Sequence, residues 1–165
     1  MPVFIELIET PSDREPAKSI AAVIADAEKN RFKLVTSVIT IAEVWHAKAE
    51  IDGKAPDPDV ERMIASLWHP DASPIWLVDV HEVIVRDAAK LLRQGIQHGW
   101  RKTKGVDGVH LVTAKREGVQ EFWTTDGAMK KWEPIVGYKV CTPHYEGEEK
   151  QLELGEQPES EAGNA

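Results

Sequence analysis

Apolar positions along this chain recur with two alternating periods. Ile20, Val23, Ile24 and Ala27 fall at helical spacing, which predicts a helix from Pro16 to Lys29 with one buried face. Lys33 to Val38, within which the run Leu34 to Ile39 begins, reads as a buried strand. Thr40 to Ala49 and Asp59 to Trp68 read as helices, the second started by Pro58 and Asp59. Ile75 to Val80 returns to strand character. Glu82 to Gln97 is a long helix with Val83, Ala88, Leu91 and Leu92 as core candidates. Gly105 to Gly118 is a helix closed by its glycine. Phe122 to Thr124 is a strand, Gly127 to Trp132 a short helix, and Tyr138 to Cys141 a final strand. The Pro- and Asp-rich stretch Asp52 to Pro58 is a loop. Strands alternating with helices predict an α/β domain whose sheet is mostly parallel and covered on both faces.

Composition narrows the class. The 165 residues suffice for one domain with a full core, expected over residues 1–145. No stretch approaches the roughly 20 apolar residues of a membrane span. Residues 1–6 carry no basic leader, and a single cysteine, Cys141, rules out an internal disulfide, so a reducing cytoplasm is the expected setting. The net charge of −8 is uneven. Residues 146–165 hold seven acids and one lysine, which leaves −2 on the rest. That acidic tail has no aromatic residue and is expected to be disordered. The nearly balanced remainder permits an RNA partner without offering a broad basic face.

Three acids stand where strands give way to helices. Glu43 follows the run Leu34 to Ile39, Asp107 opens the helix from Gly105, and Asp126 follows Glu121 to Thr125. Parallel strands bring their carboxyl ends to one edge, where open α/β folds bind ligands. Carboxylates gathered there repel one another unless a cation joins them, and hard dications take such oxygens. Each acid also has a local reading. Glu43 fits a capping box with Thr40, Asp126 fits an N-cap, and Asp107 suits the positive end of a helix dipole. Thr124 can orient a neighbouring carboxylate, and Gly108 leaves room beside Asp107 for a ligand.

The segments Val35 to Glu43, Lys104 to Ala114 and Trp123 to Asp126, in this order, resemble the acidic motifs of PIN-domain ribonucleases, VapC-type toxins of bacterial toxin–antitoxin pairs among them. The resemblance covers about residues 3–142 and extends to Pro74–Val80 and the helix through Ala89–Arg93. It implies a three-layer α/β/α sandwich around a parallel sheet. It also implies an endoribonuclease using Mg²⁺ or Mn²⁺ held by Glu43, Asp107 and Asp126, with Thr124 in support. RNA would be the substrate, an antitoxin protein a partner, and a homodimer the common assembly. One element departs from the pattern. The family opens with a strand ending in aspartate, whereas Val3 to Glu9 resembles the helix that follows it. Either that strand lies upstream of Met1, or residues 3–8 form it and Glu6 stands in. The lost acid would favour the other reading, a weakened domain that binds protein or RNA without cutting.

The loop His98 to Lys104 is basic and aromatic. Trp100 could stack a base while Arg101, Lys102 and Lys104 hold phosphates, or Trp100 could instead be buried beneath a solvated loop. His46 and His110 each lie three residues past an acid and are expected at the surface or half-buried. With no His-x-x-x-His pair, a zinc site is not expected. Phosphate-cradling glycine loops and a Gly-x-Ser-x-Gly elbow do not occur.

Overall fold

A computed structural model describes Phe4, residues 15–69, Asp71, residues 73–100 and residues 102–145. The alternation read from the sequence is present. In chain order the elements are α1 (Glu15–Glu28), β1 (Leu34–Ser37), α2 (Ile39–Asp52), α3 (Pro58–Ser66), β2 (Ile75–Val78), α4 (Glu82–Gln97), α5 (Gly105–Arg116) and β3 (Glu121–Trp123). A 3₁₀ turn (Gly127–Trp132), α6 (Glu133–Val136) and β4 (Lys139–Cys141) follow. The expectations for residues 3–8, Glu6 and the acidic tail lie outside the described residues, Phe4 excepted.

Local chemistry accounts for the boundaries. Asp57 Oδ1 accepts from the Asp59 and Val60 amides, and Pro58 sits where its missing N–H costs nothing, so α3 starts there. Gly53 ends α2 in the left-handed region, at φ 64°. On α4 the buried stripe is Ile84, Ala88, Leu91 and Gly95. Val83, expected in the core, is instead 50% exposed, because it stands one position off that stripe.

Among the described residues the strand pairing is parallel, as expected, and falls into two pairs. β1 pairs with β2 in parallel register, Leu34 opposite Ile75 through Ser37 opposite Val78. β3 pairs with β4 in parallel, Glu121 opposite Lys139 through Trp123 opposite Cys141. Among the described residues these are two two-stranded sheets. The core divides with them. One cluster joins Ile84, Leu91, Leu111, Trp132 and Val140 around α4, α5 and β4, while a smaller one joins Val44, Ile64, Trp68 and Ile75 around α2, α3 and β2.

Helix α5 spans the two halves. Its first turns reach α2 through His110 and Glu43, and its last turn is followed by Glu117, whose carboxylate accepts from Lys33 just before β1. It therefore runs opposite to β1, and the chain returning from it gives β3 the same direction as β1. Gly108 lies inside the α4–α5 contact. A Cβ there would stand 2.8 Å from Leu92 Cγ, so this glycine permits helix packing and does not open space for a ligand. Gly95 does the same against Trp132.

Candidate active site

A groove of about 1590 Å³ lies between β1 and β3, lined by residues of both strands and by faces of α1, α2 and α5. Glu43, Asp107, Asp126 and Thr124 all line it, as do Lys102, Lys104 and His110. The element order explains why. Glu43 lies on the helix leaving β1, Asp126 just past β3, and Asp107 in the first turn of the antiparallel α5, so all three approach the carboxyl ends of the strands.

Each acid has a protein partner. Glu43 Oε2 lies 2.5 Å from His110 Nε2, with both side chains largely covered. This replaces the expected capping box. Helix α2 begins at Ile39, its cap Val38 standing two residues before Thr40 and without a side-chain hydrogen bond, and the Thr40 hydroxyl instead meets Thr36 Oγ1 at 2.7 Å. His110, half-buried as expected, thus reaches one of the acids. Asp107 Oδ2 accepts from the Lys104 amide at 2.7 Å, and Asp126 Oδ1 from the Ala128 amide at 2.8 Å. Both local readings, at the start of α5 and as cap of the 3₁₀ turn, are therefore present alongside the shared groove. The Thr124 hydroxyl accepts from the Asp126 amide at 3.1 Å and fixes that loop.

The carboxylates share the groove without closing into a tight cluster. Among the described residues, the one set of three acidic, histidine or cysteine donors within 4.8 Å of one another is Glu121, Cys141 and His144. Glu43, Asp107 and Asp126 do not form such a set. The Thr113 hydroxyl, 2% exposed, also lines the groove and is buried without a hydrogen-bond partner. An orphaned donor of this kind costs about 1–3 kcal/mol.

The basic loop divides. Lys102 and Lys104 line the groove. The Trp100 ring stacks on His98 with centroids 5.1 Å apart, meets Trp132 edge-on, and packs against the larger core cluster. It is half-buried and anchored in the fold by these contacts. Arg101 lies outside the described residues.

Sequence spacing could not have found the Glu43–His110 pair, whose members are 67 positions apart. No protein-family model, curated protein or solved structure matches the chain. It is thus described by what its residues do: a mixed α/β chain of two parallel strand pairs whose sequence-marked acids face a common groove.

Proposed function

We propose that this chain is a divalent-metal-dependent endoribonuclease with a PIN-like three-layer architecture, acting as the toxin of a toxin–antitoxin pair. One observation carries the reading. Acids from three separate elements, Glu43, Asp107 and Asp126, line a single groove at the carboxyl ends of parallel strands, with Lys102 and Lys104 on the same groove.

The donor set suits a hard dication. It offers only oxygens, and Mg²⁺ ordinarily takes one or two carboxylates while keeping several waters, which matches carboxylates spaced too widely for a dry cage. When bound, Mg²⁺ or Mn²⁺ would neutralise charge on the scissile phosphate and lower the pKa of water. The chain's own residues do the remaining work. Lys102 and Lys104 draw the RNA backbone into the groove by its phosphates. The Lys104 amide holds Asp107, so the element that receives phosphate also aims a carboxylate. Thr124 holds the Asp126 loop, and His110 keeps Glu43 in one orientation while carrying an exchangeable proton beside it.

The test is cleavage of a single-stranded RNA with and without Mg²⁺. Asp107→Asn keeps an acceptor for the Lys104 amide but removes the charge, so the fold should persist while metal-dependent cleavage disappears. Unchanged cleavage would reject the assignment. A second reading, a binding module without catalysis, is favoured by the engagement of all three carboxylates with protein donors. It requires full-length chain that binds RNA equally with and without Mg²⁺ and leaves it intact.

A further inference from the structure

A different constellation sits on the β3–β4 pair. Glu121 and Trp123 are two apart on β3, opposite Lys139 and Cys141 on β4, so all four share one face. His144 folds back onto that face, its ring 5.7 Å from Trp123. Cys141 Sγ lies 3.9 Å from Glu121 Oε2 and 3.8 Å from His144 Nδ1, and His144 Nε2 lies 3.7 Å from Glu121 Oε2. Adjacent ligand atoms around tetrahedral zinc stand roughly 3.3–3.6 Å apart, given bonds of about 2.0–2.3 Å. The Cys141 contact is to Nδ1 and the Glu121 contact to Nε2, so meeting at Nε2 takes a turn of the imidazole, and one donor atom from each of the three residues already lies within 4.8 Å of the others.

Two further contacts point to a cation. His144 Nδ1 lies 3.1 Å from the Thr142 carbonyl, which can only accept, so Nδ1 carries the proton and Nε2 keeps its lone pair. Lys139 Nζ lies 2.7 Å from Glu121 Oε1 and 3.4 Å from His144 Nε2. A positive charge is already seated between the carboxylate and the imidazole. Trp123 Nε1–H donates to Glu121 Oε2 at 3.0 Å and fixes the carboxylate.

We propose that Glu121, Cys141 and His144 form a site for one Zn²⁺ ion, with the fourth position open to solvent and the Lys139 ammonium displaced into water. Thiolate, imidazole and carboxylate together suit zinc rather than magnesium, which separates this site from the oxygen-lined acids of the groove. Binding deprotonates the thiol and releases that proton to solvent. Three protein ligands and an open position are the arrangement zinc adopts where it polarises a bound water or ligand.

Cys141 is the one cysteine of the chain, so any thiol signal reports this site. The full-length protein is titrated with Co²⁺ and then Zn²⁺. A thiolate-to-cobalt absorption band saturating at one equivalent, its bleaching by zinc, and zinc protection of Cys141 from iodoacetamide are expected. Cys141→Ser and His144→Ala should each lose the band and weaken zinc binding by about 10-fold or more. Lys139→Ala should strengthen it, and Glu43→Gln should leave it unchanged. Absence of the band together with an alkylation rate indifferent to zinc would overturn the site. So would Cys141→Ser binding zinc as tightly as the parent chain.

Discussion

Replacing Gly95 with alanine probes the joint that holds the rim of the groove together. Gly95 lies on the buried stripe of α4, and a Cβ there would overlap Trp132 Cη2 and stand 2.7 Å from Cζ2. Carbon atoms at ease sit about 3.5–4.0 Å apart, so the indole would have to move by more than 1 Å. It has little freedom to do so. Trp132 is 0% exposed, its Nε1–H donates to Thr103 Oγ1 at 3.1 Å, and Trp100 meets it edge-on. Overpacking of this kind costs about 1–3 kcal/mol, here toward the upper end. Alanine recovers about 0.5–1 kcal/mol of backbone entropy within a helix. The net expectation is a loss of roughly 1–2 kcal/mol, or a Tm lower by about 2–8 °C for a chain of this size. Denaturant and thermal unfolding measure it. In a Trp132→Phe background the smaller ring should vacate the contact, and Gly95→Ala should become neutral or stabilising. If Gly95→Ala is neutral in the parent chain, the packing described here is wrong. The consequence reaches the site, because Trp132 ends the 3₁₀ turn begun at Asp126 and Thr103 lies between Lys102 and Lys104.

Three other outcomes are expected. Asp26 is 4% exposed and accepts from Arg31, Lys29 and the Tyr145 hydroxyl, so Asp26→Ala should cost about 2–3 kcal/mol in urea unfolding, and a cost near zero would contradict its role as an anchor. The Val38 amide donates to Val78 and the Thr124 amide to Cys141, so by ladder alternation the Val35 and Trp123 amides point into the groove; hydrogen exchange should be faster there than at Thr36 and Phe122, and equal protection would mean the groove edges are paired. Burial, and then the Glu121 carboxylate, push the Cys141 thiol above its ordinary value. The fold therefore favours the neutral thiol, and this contribution to stability is complete below the unfolded value and fades as pH rises through the folded one. Iodoacetamide should accordingly react with native chain at a higher pH midpoint than with urea-unfolded chain, and coincident midpoints would contradict the burial.

The elements were legible because each carries its own period. The stripe of α4 and the Pro–Asp start of α3 are local, and local signals survive without knowledge of partners. The pairing of strands is not local. Leu34 to Ser37 reads as a buried strand whether one neighbour or two flank it, so the division into two strand pairs was invisible. Gly108 shows the same limit. Its small side chain could equally serve a ligand or a neighbour, and Leu92 on α4 decides for the neighbour. The acids were legible as candidates because they stand near strand ends, where topology alone brings residues together. Their partners were not, since His110 reaches Glu43 only when α5 lies across α2. Likewise Cys141 and His144 offer no recognised metal spacing until Glu121 joins them from the paired strand.

The proposed gathering of oxygens from Glu43, Asp107 and Asp126 around a hard dication is tested most directly by Mn²⁺ binding, followed by calorimetry and electron paramagnetic resonance on the full-length chain. One ion should bind with millimolar or tighter affinity, and both Glu43→Gln and Asp126→Asn should weaken it strongly while Cys141→Ser leaves it intact. Mn²⁺ that fails to saturate, or that binds equally to both carboxylate variants, would contradict the assignment of the groove as a metal-dependent active site.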